Sequence, residues 1–231
     1  MVTIDLQTYA EENWQQLKKT VTDISKSYAD GASLVKHDAS LYDFDNICGS
    51  IFSPDKKPTS ADGLNFVGKC IELIEFKSGF KQRITRENFD KEKGRCEDAD
   101  KICDAYWDLF FKIQEKNKSE LISSIRTKAI ESYIILEKHV FPCCSYCGSK
   151  TRLKFIVVID EDGVESMEDT LADLAGKKEG ISGNPFSSIK QALKRLVNCQ
   201  DIEGNSYFYD EVEVMSAEDF KNYLKVLSNG L

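Results

Sequence analysis

The chain has 231 residues, 41% hydrophobic and 30% charged, with a formal net charge of -8 at pH 7. That length suffices for one generous domain or two small ones with a sizeable core, and the acidic balance excludes a non-specific nucleic-acid coat, which needs a basic surplus. No apolar run approaches the ~20 residues of a membrane span. The opening "MVTIDLQTYAEENW" also lacks the basic, apolar, small-residue order of a signal peptide, so a cytoplasmic setting with mostly reduced cysteines is expected.

In chain order, Ala10, Trp14, Leu17, Val21, Ile24 and Tyr28 recur at spacings of four and three and predict one amphipathic helix over residues 6–29. A short helix is expected over residues 40–51, then a proline-bearing loop, "SPDKKPTS". Two strand-like runs follow, residues 62–67 and 70–76, separated by Gly68-Lys69, a pair that suits a type II′ hairpin turn. A charged stretch leads into an aromatic helix, "ICDAYWDLFFKIQEK", and a second helix over residues 119–139. "RLKFIVVID" predicts a strand, "PFSSIKQALKRLV" a helix, "YFYDEVEVM" a strand, and "SAEDFKNYLKVL" a last helix with Ser216 as N-cap and Asp219 three residues on. This order of elements predicts a single α/β domain, residues 1–231, with mixed strand pairing and a helical insertion at about residues 87–140.

The hairpin carries the chemistry. With Gly68 and Lys69 as the loop, Val67 faces Cys70, and five steps outward Asp62 faces Glu75. Opposed residues share a face, with Cβ atoms roughly 4.5–5.5 Å apart, and Lys77, two beyond Glu75, lies on that face as well. Two opposed carboxylates repel unless a cation sits between them, and one or two carboxylates plus waters are the usual way to hold Mg²⁺. A nearby ammonium can orient an attacking water or stabilise developing charge. The competing reading is a strand end with an exposed Glu75–Lys77 pair and an unrelated Asp62.

The run "SADGLNF…IELIEFKSG" resembles the PD-(D/E)xK, or restriction-endonuclease-like, nuclease superfamily, and also a looser group of bacterial proteins with a "saD…IEFK" signature. The resemblance implies a core made of a leading helix, a mixed sheet begun by a hairpin, a central helix (residues 119–139) and a further strand (residues 153–160). It places Asp62 at the metal-binding Asp, Glu75 at the second acid and Lys77 at the catalytic lysine, with Mg²⁺ or Mn²⁺ as cofactor and DNA as the expected substrate. Ala61 replaces the proline that the family carries before its Asp. An added acid from the leading helix is implied, with Glu11, Glu12, Asp43 and Asp45 as candidates, and a homodimer is a further expectation. The alternative is a catalytically inactive nuclease-fold protein serving as a binding or regulatory module.

Lys81, Arg83 and Arg86 follow the motif directly and are candidate phosphate contacts; as a competing reading they belong to a solvated charged loop. Cys144 and Cys147 form half a zinc knuckle, but no second C-x-x-C completes it, so a cysteine-rich turn is favoured over Zn²⁺. Lys128 and Glu131, polar residues beside the apolar stripe of the central helix, are read as a surface pair rather than site residues. His37 and His139 are read as structural or exposed.

Overall fold

The strands β1 (Lys18–Thr20), β2 (Ser40–Asp43), β3 (Gly63–Val67), β4 (Cys70–Lys77), β5 (Arg152–Ile159) and β6 (Glu211–Ser216) form one open sheet in that order. In this computed structural model, residues 6–27, 31–80, 93–94, 104–143, 151–160, 185–197, 199, 202 and 208–229 are described. Neighbours from β1 to β4 are antiparallel, and β4, β5 and β6 are parallel. The fold is therefore α/β with a mixed sheet. The helices are α1 (Leu6–Asn13), α2 (Val21–Ile24), α3 (Phe44–Ile51), α4 (Asp104–Ile135), α5 (Pro185–Val197) and α6 (Ala217–Asn229). None of the helices among the described residues is long and apolar enough to cross a membrane.

Strand β5 is buried from Phe155 to Ile159 without a break. A parallel strand covered on both faces needs such an unalternating apolar run. On one face, Ile71, Leu73, Phe155 and Val157 pack against Ile125 and Ala129 of α4 and Ile189 and Leu193 of α5. On the other, Ile74, Ile156 and Val158 pack with Val21, Phe220 and Leu224. Helix α4 is the crossover from β4 to β5, and the apolar side of α5 covers the same face. The only described residues of the expected insertion before α4 are 93 and 94.

Four expectations are corrected. The leading helix stops at Asn13, and residues 18–20 become β1, paired with β2 as Lys18↔Tyr42 through Thr20↔Ser40. The apolar positions that suggest one long helix serve two faces of the sheet: Ala10 and Trp14 belong to one core cluster and Val21 to the other. A single straight helix cannot reach both. Thr20 restarts the chain as α2 by accepting the Asp23 N–H on Oγ1 at 3.1 Å.

Secondly, the helix expected over residues 40–51 begins only at Phe44. Leu41 and Tyr42 are both buried in β2, and Asp43 caps α3 by accepting the Asn46 N–H at 2.9 Å. Thirdly, the aromatic segment and the central helix are one continuous helix, α4, prolonged by a π turn over Leu136–Val140. The last strand begins at Glu211 rather than 207, because Tyr209 leaves the ladder to donate its hydroxyl to the Ala129 carbonyl of α4 at 2.6 Å. Tyr209 is fully buried. Tyr209→Phe is expected to cost about 1 kcal/mol, the net worth of one buried hydrogen bond, read from urea melts.

Candidate metal and catalytic site

The site starts from the hairpin turn. Gly68 has φ +57° and, among the described residues, no non-glycine has positive φ, so the sign pattern of a II′ turn holds at Gly68-Lys69. That turn sets the register Val67↔Cys70, Phe66↔Ile71 and so on to Gly63↔Ile74. Asp62 and Glu75 are the next step of the same count. Asp62 lies one residue before β3, but its main chain is held from both sides: its N–H donates to the Ile74 carbonyl, and its carbonyl accepts from Phe44 N–H, each at 3.0 Å. Asp62 thus stands where β3, β4 and α3 meet.

The Asp62 carboxylate accepts the Phe76 N–H on Oδ2 at 2.7 Å. Its other oxygen, Oδ1, is 3.2 Å from the Lys128 ammonium, which also donates to Glu75 Oε2 at 2.8 Å. The side chain of Glu75 is 0% exposed, against 21% for Asp62 and 23% for Lys128. Glu75 Oε1 is buried with no hydrogen-bond partner. Such an orphan is costly and calls for a reason.

Burial raises the Glu75 pKa above its ordinary value, and the negative charge of Asp62 adds to the rise; Lys128 and Lys77 pull the other way without cancelling it. Asp62 is raised too, again by burial first, with Lys128 and the Phe76 N–H opposing. Burial disfavours the Lys128 ammonium, but Glu75 and Asp62 outweigh that and hold it charged. All three pKa values are raised, with one half-buried cation facing the buried Glu75 and the half-buried Asp62.

A cavity of about 910 Å³ opens over this group, lined among others by Asp45, Asp62, Glu75, Lys77, Lys128 and Asp160. Lys77 shares the pleat face of Glu75, and its charge is felt there. The backbone turning away after Lys77 is pinned by Asp160 at the end of β5, whose carboxylate accepts the N–H groups of Gly79 and Phe80, both at 2.8 Å. Gly79 is required in this turn: its φ is +103°, and an added Cβ would sit 3.3 Å from Leu121 Cδ1.

Of the candidate extra acids, Asp43 and Asp45 line the cavity. Asp45 pairs with Lys57 at 2.6 Å and accepts from Ser60 Oγ at 2.6 Å. Although burial opposes it, these bonds hold the Asp45 carboxyl below its usual pKa. Asp43 is committed to Lys19 at 2.7 Å and to its helix cap. Glu11 and Glu12 are exposed on α1, and Glu11 accepts from Gln7. The candidate phosphate contacts Lys81, Arg83 and Arg86 lie outside the described residues, as do Cys144 and Cys147. His37 Nδ1 accepts the Ala39 N–H, and His139 packs edge-on against Phe52.

Lys128 is the residue that sequence reasoning misplaced. Rather than forming a surface pair, Lys128, Glu131 and Ser132 project from one side of α4 onto the segment that carries Asp62. Ser132 Oγ accepts the Ala61 N–H at 2.8 Å, and Glu131 accepts both the N–H and the hydroxyl of Thr59 at 2.6 Å. Spacings of three and four put such residues side by side on a helix. The available signal was a lysine and a serine four apart, flanking the buried Ile125 and Ala129.

Among the described residues no three His, Cys, Asp or Glu side chains are grouped to hold a metal. The two carboxylates that share the Lys128 ammonium are those of Asp62 and Glu75. Comparisons with protein-family models, with curated proteins and with solved structures gave no match.

Proposed function

We propose that this chain is a metal-dependent nuclease of the restriction-endonuclease-like kind, hydrolysing phosphodiester bonds in DNA. The observation that carries this reading is that Asp62, just before β3, and Glu75 of the adjacent antiparallel β4 share the Lys128 ammonium beneath one cavity, with Lys77 two residues on from Glu75. The order of elements supports it: a leading helix, a hairpin, the crossover helix α4, and β5 parallel to β4.

The residues present fit a divalent cation. Glu75 Oε1 is buried and unpartnered, and two carboxylates completed by water suit Mg²⁺ or Mn²⁺. Asp62 Oδ1 and Glu75 would hold the ion, while the Phe76 N–H fixes the other Asp62 oxygen. Bound there, the ion lowers the pKa of a coordinated water and polarises the phosphoryl group. Lys77 orients the attacking water and offsets the charge that develops on the phosphoryl oxygens. Asp160 keeps the chain after Lys77 in place.

The second reading, an inactive nuclease-fold binding module, is favoured by one observation: the Lys128 ammonium bridges both carboxylates. Incubation with supercoiled, linear and single-stranded DNA and with RNA, in Mg²⁺ or Mn²⁺, separates the two. Cleavage that chelator abolishes and Asp62→Asn lacks supports the enzyme. No cleavage of any substrate, together with no metal binding by calorimetry, removes it.

A further inference from the structure

Lys128 occupies a telling place. Its ammonium touches one oxygen of each acid, at 2.8 Å from Glu75 Oε2 and 3.2 Å from Asp62 Oδ1. A cation shared by the two carboxylates would sit in the same gap. The Lys128 ammonium, however, bonds one oxygen of each acid and leaves Glu75 Oε1 without a partner. A divalent ion held by Asp62 and Glu75 would bring two positive charges to the two acids.

We propose that Lys128 is an internal counter-ion that holds the cation position while the site is unloaded and is displaced when a divalent metal enters. This inference rests on the metal-site reading above and adds the event that accompanies loading. The motion required is small. Bonds from Ser132 to Ala61 and from Glu131 to Thr59 anchor α4 one turn further on, so the helix stays and only the lysine side chain turns. That side chain is 23% exposed and faces the cavity. Asp45 lines the same cavity and already feels the Lys128 charge, which gives the displaced ammonium an anionic neighbour. Before loading, Lys128 keeps two close carboxylates from repelling one another; during loading it competes with the metal. Lys128 is thus a positioning residue whose removal strengthens metal binding.

The test is Mn²⁺ calorimetry on the wild type and Lys128→Met, a neutral chain of similar length. The variant is expected to bind Mn²⁺ about 10-fold to 1,000-fold tighter, less than the full repulsion between an ammonium and a divalent ion about 4 Å apart at an effective dielectric of ~20, because the displaced side chain moves away from the ion. Equal or weaker binding by a folded Lys128→Met protein, when the wild type binds, overturns the counter-ion role and leaves the metal site standing. Absence of Mn²⁺ binding in both proteins overturns the metal site and this inference together. Should Lys128→Met fail to fold, NMR of the wild type decides: saturating Mg²⁺ must move the Lys128 side-chain resonances, assigned through Lys128→Arg, toward those of an exposed lysine. Resonances unmoved by bound Mg²⁺ overturn the proposal.

Discussion

Lys77→Ala is expected to lower phosphodiester hydrolysis by about 10²- to 10⁴-fold at saturating Mg²⁺, the usual worth of a positioned acid–base group. Metal affinity should rise rather than fall, because the proposed oxygen donors Asp62 and Glu75 remain while a positive charge that acts on Glu75 is removed. The geometry explains the size of the effect. Lys77 lies on the pleat face of Glu75, at the cavity end of β4, paired with the buried Ile159 of β5. A charge placed against such apolar walls acts more strongly than one in water. Lys77→Arg should not restore the rate, since a planar guanidinium has a different donor geometry. Initial rates alongside Mn²⁺ calorimetry check both halves. A Lys77→Ala protein with wild-type turnover would move the ammonium's role elsewhere, with Lys128 as the nearest substitute.

How far this site could be read from sequence depends on the range of each contact. The hairpin was legible because it is local: Gly68 fixes the turn, and the pleat then carries the register as far as Gly63 and Ile74, one residue short of Asp62 and Glu75. Helix α5 was legible for the same reason, as its apolar residues fall on one side and it begins at Pro185. The leading helix was misread because periodicity records which residues are buried, not against what. Ala10 and Val21 keep a helical spacing yet enter cores on opposite faces of the sheet. Lys128 was misread for a third reason. Its partners lie 66 and 53 residues away, and only the course of the α4 crossover brings them together. A lysine at the margin of an apolar stripe looks the same in sequence whether it faces water or a pair of acids.

Glu75→Gln should stabilise the metal-free protein at pH 8 while abolishing metal binding. The unfolded chain loses the Glu75 proton around its ordinary value of 4.5, but the folded chain holds it to higher pH, because burial and then Asp62 disfavour the anion. As pH rises through that window the unfolded state binds fewer protons than the folded one, and stability falls. Below about pH 4.5 both states are protonated and the penalty is absent. Glutamine is neutral throughout, so its advantage is small at pH 5 and grows toward pH 8. It can keep the Lys128 bond through its amide oxygen and replaces the orphaned Oε1 with a donor able to turn toward Asp62. The expected gain is about 1–3 kcal/mol, the cost of a buried unsatisfied polar group, or roughly 2–4 °C in Tm per kcal/mol for a chain of this size. Thermal melts at the two pH values with chelator present measure it. A destabilisation of equal size at both would make Glu75 a structural partner of Lys128. A gain confined to high pH would mark an acid kept in a costly place for what it binds, since sites retained for function are where stability is commonly given up.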